Sequence, residues 1–393
     1  MTWCLVIFSA LTSLWTGALT IRVARRFKYG VDESSGVQKF HSHWVPRLGG
    51  VPIFTAIFSS LLLAAWLTNQ HLTLKVELIV CMLPAFGIGL IEDVTRKAGV
   101  LSRLLMAMVS AGLGWWLLGA GLHHLDLPFV DPLLAAFPVF ALALTLVAAA
   151  GVAHAVNIID GYNGLSGFFI VVVLISLALI ADSVGDAFIL RVSLLSVAAV
   201  AGFLVWNFPF GRIFMGDAGA YMLGFLVAEL SMLLVTHHPQ VSPWCPLLLM
   251  IYPVWETLFS MYRRSARGFS RMGQPDARHL HQLIYRRLMK RYGSSRDPHH
   301  RLMRNSFTSM YLWALATMCA VPAVLFYKNT GVLMLFTLLF VLSYLLLYRK
   351  LISFRAPRFM VVRSKLKLRA DANPAVLHTQ DAVPDSASEN AVK

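Results

Sequence analysis

The chain has 393 residues, 58% of them hydrophobic, with a mean hydropathy of +0.67. Soluble globular chains are about 45–50% apolar, so an ordinary water-soluble fold is excluded. With 34 Lys and Arg against 19 Asp and Glu, the net charge is +15. In a soluble chain that balance would suggest nucleic acid, but here the placement of the charges decides.

In chain order, eleven apolar windows stand at 3–21, 48–68, 74–91, 104–121, 133–153, 165–182, 187–206, 219–236, 244–262, 307–327 and 331–348. Each is close to the roughly 20 residues a helix needs to cross a bilayer. Backbone polar groups have no water to bond in lipid, so these windows are predicted as helices and the fold as an all-α polytopic membrane protein. The first window has no basic start and no small-residue cleavage site before the basic run, so it is expected to be a span and not a cleaved signal. Of the 34 basic residues, 31 fall on one side of an eleven-span topology; Lys75, Arg191 and Lys328 fall near the other. Basic loops stay cytoplasmic, which places the N-terminus outside and the C-terminus inside. No nucleic-acid partner is then needed to explain the charge.

Residues 1–350 are expected to form one transmembrane catalytic domain, with cytoplasmic loops at 22–47, 92–103, 157–164, 207–218 and 263–306. Residues 351–393 read as a basic and then disordered cytoplasmic tail. The four cysteines, Cys4, Cys81, Cys245 and Cys319, lie inside apolar windows without metal or disulfide spacing.

Five polar clusters fall on the predicted cytoplasmic face: QKFHSHWVPRLGG (38–50), GLIEDVTRK (89–97), VNIIDGYNGLSG (156–167), NFPFGRIFMGDAGAYMLG (207–224) and SRMGQPDARHLHQLIYRR (270–287). A transporter would place charge at the midplane on broken helices, and here Glu229 is the chief candidate. The pattern therefore points to an enzyme at the membrane surface. Glu92, Asp93, Asp160 and Asp217 are hard carboxylate ligands, and Asn157 adds an amide oxygen. Such groups suit magnesium, which takes one or two protein ligands and fills the rest with water and phosphate oxygens. Each Asp or Asn alone could equally be a helix cap. Gly161, Gly164, Gly216 and Gly219 allow close approach of an anion to helix starts near Leu165 and Ala218; close helix packing is the equal alternative for Gly219 and Gly224. In the most basic loop, Arg263, Arg264, Arg286 and Arg287 read as headgroup anchors, whereas Arg278, His279 and His281 follow a Pro-Asp turn and read as phosphate donors.

These motifs resemble those of the polyprenyl-phosphate N-acetylhexosamine-1-phosphate transferases, the polytopic glycosyltransferase family 4. KFHSHWVPRLGG is similar to the family's RKxHxxxxPRxGG, IEDVTRK to DDxxD/K, NIIDGYNGL to NxxDGxxGL, FMGDAGAYMLG to FMGDxGSxxLG and PDARHLHQL to PDRxHxHHL. All five occur in the family's order over residues 38–285. Glu92 replaces the first aspartate of the acidic pair, Gln282 stands where another histidine is common, Ala220 replaces a serine, and Asn163 an aspartate.

The resemblance implies that a polyprenyl phosphate attacks the β-phosphate of a UDP-sugar, giving a polyprenyl-diphospho-sugar and UMP. That would be the initiating step of a surface polysaccharide such as O-antigen, at the bacterial inner membrane. It implies magnesium, or manganese in its place, on Asn157 and Asp217, with Glu92, Asp93 and Asp160 as the catalytic carboxylates. It associates Lys39, Gly161, Asn163, Gly164, Arg278, His279 and His281 with the nucleotide sugar, and His41 and Gly216 with the same site. Two rival readings are a transporter of an anionic solute and, because of Glu92 and Gln282, a non-catalytic relative.

Overall fold

The computed structural model describes residues 1–27, 30–32, 45–68, 72–266, 278–289 and 297–353. Lys39, His41 and the tail from 354 onward lie outside the described residues, as do parts of the expected loops 22–47 and 263–306.

Helix α1 (Thr2–Phe27) leads to two short antiparallel strands, β1 (Val31–Asp32) and β2 (Val45–Pro46). Then come α2 (Gly50–Thr68), α3 (Leu72–Thr95) and α4 (Val100–Leu113), the last continued by a π-helical turn over Gly114–Leu118. A short α5 (Asp131–Ala136) precedes α6 (Pro138–Ile159), α7 (Leu165–Val184), α8 (Ala187–Asn207) and α9 (Gly216–His237). The chain continues through α10 (Trp244–Leu249), α11 (Ile251–Ser265), α12 (Leu280–Arg287), α13 (Pro298–Leu325) and α14 (Thr330–Ile352). The fold is all-α, as expected, and ten of the described helices are long and apolar enough to cross a membrane.

The predicted ninth span is the exception. Residues 244–262 form two helices, α10 and α11, that meet at Met250. Pro253 lacks the N–H that would bond the Leu249 carbonyl, and its ring crowds that carbonyl, so the helix breaks here. Pro84 inside α3 is accommodated differently. There the next amide, Ala85 N–H, donates to Ser110 Oγ of α4 at 3.0 Å, and α3 stays unbroken.

Helix α9 is the axis of the molecule. Every residue from Gly216 to Val235 is buried, so protein and not lipid surrounds it. It packs against α2, α3, α4, α6 and α7. Small residues make this possible, because without a large hydrophobic gain between helices in lipid, close van der Waals contact has to supply the attraction. Gly50 of α2 lies against the backbone of Gly219, Gly89 of α3 against that of Ala218, and Gly224 against Ala153 of α6. Of the two sequence readings of Gly219 and Gly224, helix packing is the one observed. The C-terminal ends of α3 and α6 thereby meet the N-terminal end of α9, and the polar motifs they carry come together at one end of the bundle.

Candidate active site

The start of α9 is built on Asp93. This buried carboxylate accepts the backbone amides of Asp217 at 2.9 Å and Ala218 at 2.8 Å. A helix start leaves its first amides unsatisfied and carries partial positive charge, so an anion is favoured there. The sequence reading expected a ligand anion at this helix start, whereas the Asp93 carboxyl group occupies the first amides. Gly216, with φ +73°, makes the turn; a Cβ there would collide with the Arg47 carbonyl and the Asp93 carboxylate.

The segment after β2 is laced to the loop before α9. Phe214 N donates to Pro46 O, Gly49 N to Phe214 O and Gly50 N to Met215 O, each at 2.8 Å. This fixes Arg47 beside the helix start, its Nε 3.8 Å from Asp93 and a terminal nitrogen 3.1 Å from Asp217. Asp217 is buried; Asn157 Nδ2 donates to it at 2.9 Å, and Arg103 of α4 donates to its other oxygen. The Arg103 guanidinium lies 5.6 Å from the Tyr221 ring centre, and Tyr221 Oη is 2.8 Å from His154 Nδ1, one turn before Asn157. Arg47 and Arg103 were missed as site residues. The first lies within a motif quoted for its lysine and histidine, and the second was counted only as cytoplasmic charge.

Asp160 ends α6 and accepts a hydrogen bond from Ser166 Oγ at the start of α7. Burial raises its carboxyl to about 6, while Ser166, Arg47 and the Gly216 amide pull the other way. Glu92 lies near Asp93 and Tyr221, and its buried Oε2 has no hydrogen-bond partner among the described residues. Glu92, Asp93, Asn157, Asp160, Asp217 and Gly216 therefore share one cluster. No three His, Cys, Asp or Glu among the described residues converge as a ready metal cage. Magnesium does not require one. Asn157 and Asp217 carry hard oxygens of the kind such an ion takes, but Asp217 Oδ1 here accepts from Asn157 and Arg47 and its Oδ2 from Arg103, so an ion would have to displace those donors.

A second group lies against the loop after α6. The Asn163 backbone N–H donates to Asn305 Oδ1 at 2.8 Å, its side chain donates to Pro209 O at 3.0 Å, and its carbonyl accepts from Ser309 at 2.7 Å. Gly164 N–H donates to Asn207 Oδ1 at 2.6 Å, and its carbonyl accepts from Trp313 Nε1 at 3.1 Å. These two residues, expected to face the nucleotide, tie their loop to α8 and α13. Gly161 is exposed and lies across from His281 Nε2. The His281 ring packs edge-on to Tyr162 at 5.4 Å and stacks on His279 at 5.3 Å. Burial, and then neighbouring His279, push His281 well below its ordinary value, so the ring is neutral at neutral pH.

His279 itself is held by Glu256, a buried carboxylate of α11 that sequence reasoning missed. Glu256 Oε1 lies 2.9 Å from His279 Nδ1, both its oxygens accept from Leu280 N–H at 3.2 Å, and Oε2 accepts from Tyr344 Oη at 2.8 Å. A carboxylate only accepts, so Nδ1 carries the proton and Nε2 is left for other work. Gln282 Oε1 accepts the His279 N–H at 3.2 Å at the start of α12. The residue that departs from the histidine pattern thus has a local structural task. Arg278 is exposed at the end of this loop, its carbonyl held by Tyr348 Oη at 3.2 Å.

A bundle whose carboxylates, arginines and histidines gather at one end carries the groups that a phosphate-handling membrane enzyme needs. The family model described as glycosyl transferase family 4 matches residues 76–235. A probable undecaprenyl-phosphate N-acetylglucosaminyl 1-phosphate transferase of Bacillus subtilis is 28% identical over 284 residues, 71% of this chain and 77% of that protein. A decaprenyl-phosphate N-acetylglucosaminephosphotransferase of Mycolicibacterium smegmatis is 26% identical over 301 residues, 69% and 71% of the two chains. A phospho-N-acetylmuramoyl-pentapeptide-transferase of Streptococcus pneumoniae is 30% identical over 228 residues, 56% and 67%. The chain belongs to glycosyl transferase family 4.

Proposed function

We propose that the chain transfers an N-acetylhexosamine-1-phosphate from a UDP-sugar to a polyprenyl phosphate, at the cytoplasmic face of a bacterial inner membrane. An oxygen of the lipid phosphate bonds to the β-phosphorus of the donor, and the bond from that phosphorus to the α–β bridging oxygen breaks. The products are the polyprenyl-diphospho-sugar and UMP. The product would initiate a surface polysaccharide such as O-antigen.

The observation that carries this reading is the convergence of Arg47 and Arg103 on Asp217, beside a helix start capped by Asp93. Donor and acceptor together bring roughly three to four negative charges into one place. Transfer then depends on positioning and charge neutralisation more than on covalent help. Arg47 and Arg103 are the cations on hand for phosphate oxygens, and both are paired to Asp217, so gripping a phosphate means sharing or exchanging that partner. Asn157 and Asp217 would hold magnesium once Arg47 and Arg103 have passed from Asp217 to the phosphates, and the ion would supply Lewis-acid polarisation of the diphosphate when bound. Glu92 and Asp160 stand beside the site and, as carboxylates facing a dianion, would act on the acceptor phosphate only through a bound cation. A separate base is dispensable, because a phosphate monoester with a second pKa near 6 is already mostly dianionic at neutral pH. Arg278, His279 and His281 grip the nucleotide, with Glu256 setting the His279 ring.

Purified protein in detergent, given undecaprenyl phosphate, magnesium and a panel of UDP-sugars, should release UMP with at least one N-acetylhexosamine donor. Chelation should stop release, and magnesium or manganese should restore it. No UMP from any donor, in protein shown to be folded, would overturn the proposal.

A further inference from the structure

Helices α6 and α9 meet in two polar rungs, about one helical turn apart. In the first, Asn157 Nδ2 donates to Asp217 at 2.9 Å. In the second, His154 Nδ1 lies 2.8 Å from Tyr221 Oη. The reaction proposed above uses the first rung and leaves the second without a task. Tyr221 is fully buried, and His154 is the partner of its hydroxyl. Buried tyrosines usually find a partner, so the pair alone says little.

Arg103 of α4 gives the pair a direction, because it touches both rungs. Its guanidinium donates to Asp217 and lies 5.6 Å from the centre of the Tyr221 ring. The Arg103 side chain is 12% exposed, so little water screens either contact. A phosphate and Asp217 compete for this guanidinium. Once Arg103 leaves Asp217, the face of Tyr221 still attracts it. That attraction depends on the charge and not on any single N–H, so the donors released by Asp217 stay available for phosphate oxygens. His154 in turn ties the ring to α6 and limits its swing.

Depth indicates which phosphate. Tyr221 stands four positions beyond Asp217 on α9, which is about 6 Å further from the helix start. His154 likewise lies a turn before Asn157, away from the end of α6. Arg47 reaches Asp217 from the opposite direction, from the segment between β2 and α2. A nucleotide enters from water at the loop end of the bundle, whereas a phosphate on a polyprenyl chain enters from the bilayer. The deeper cation matches the lipid phosphate.

We propose, on the basis of that reaction, that Tyr221 and His154 are positioning residues for the acceptor: Tyr221, braced by His154, is the seat that holds Arg103 when its guanidinium passes from Asp217 to the lipid phosphate.

The test is steady-state UMP release by the purified full-length protein, with undecaprenyl phosphate and the UDP-sugar varied separately. Tyr221→Leu removes the ring and should raise KM for undecaprenyl phosphate about tenfold, the scale of a desolvated cation–π contact, with KM for the UDP-sugar unchanged. Tyr221→Phe keeps the ring and loses the brace, so its rise should be smaller. His154→Ala should match Tyr221→Phe, and the two together should do no more than either alone, since both remove one hydrogen bond. His154→Asn keeps a polar atom near the place of Nδ1 and should return KM toward the wild-type value. A merely structural pair would lower the active fraction instead, so kcat would fall with both KM values unmoved. That result, or an equal rise of KM for the UDP-sugar, or wild-type kinetics in all the variants, would overturn the seat while leaving the reaction standing. Absence of UMP from the wild type would overturn the reaction and the seat with it.

Discussion

Replacing Glu256 with alanine would strip His279 Nδ1, the Leu280 amide and the Tyr344 hydroxyl of one shared acceptor. A buried donor left without a partner costs about 1–3 kcal/mol, so Glu256→Ala should lower the unfolding temperature measurably and weaken kcat/KM together. Glu256→Gln keeps an acceptor oxygen and should recover most of the stability. An unchanged melting curve for Glu256→Ala would mean that these contacts do not hold the loop. Asp217 and Asn157 were legible because chemically unusual groups stood at the ends of apolar runs. Glu256 was not legible. It lies inside an apolar segment, and its partners are 23, 24 and 88 residues away. Asn163 and Gly164 show the limit of such reading, since a polar, glycine-bearing turn reads the same whether it faces a ligand or ties down its own loop.

At the scale of elements, α3 carries a contrast within two residues. A methyl group at Gly89 would strike the backbone of Ala218, whereas at Gly87 it would meet nothing within 4 Å. Gly89→Ala should therefore separate α3 from α9 and displace Asp93 from the amides it caps, with loss of both stability and activity. Gly87→Ala should be neutral or stabilising by up to about 1 kcal/mol, the usual helix gain over glycine. Equal thermal shifts in the two variants would contradict the close packing of α3 on α9. Ten spans were readable as long apolar runs, because hydropathy alone determines them. The break in the ninth was harder to read, since an averaged window passes over Pro246 and Pro253. The end of α6 was placed at 153 from loss of hydropathy, whereas the helix continues to Ile159 and carries Asn157 in its last turn.

For the whole molecule, the segregation of 31 basic residues to one side of an eleven-span arrangement predicts the topology, and the broken ninth segment tests it. If α10 and α11 together cross the bilayer, the crossings number eleven and the termini lie on opposite sides. A reporter fused after Lys393 should then be active only in the cytoplasm, and one fused before Met1 only outside. Both termini on the same side would mean that this segment enters and returns. The central claim is narrower: a phosphosugar, not a bare sugar, moves to the lipid. Donor labelled with phosphorus-32 at either the α or the β position tests it most directly, through the partition of label between organic and aqueous phases. The β label should appear in the lipid product, with the α label entirely in soluble UMP. Both labels leaving together in soluble UDP, with unlabelled lipid-linked sugar, would contradict phosphosugar transfer and the attack on the β-phosphorus that Arg47, Arg103 and Asp217 are placed to support.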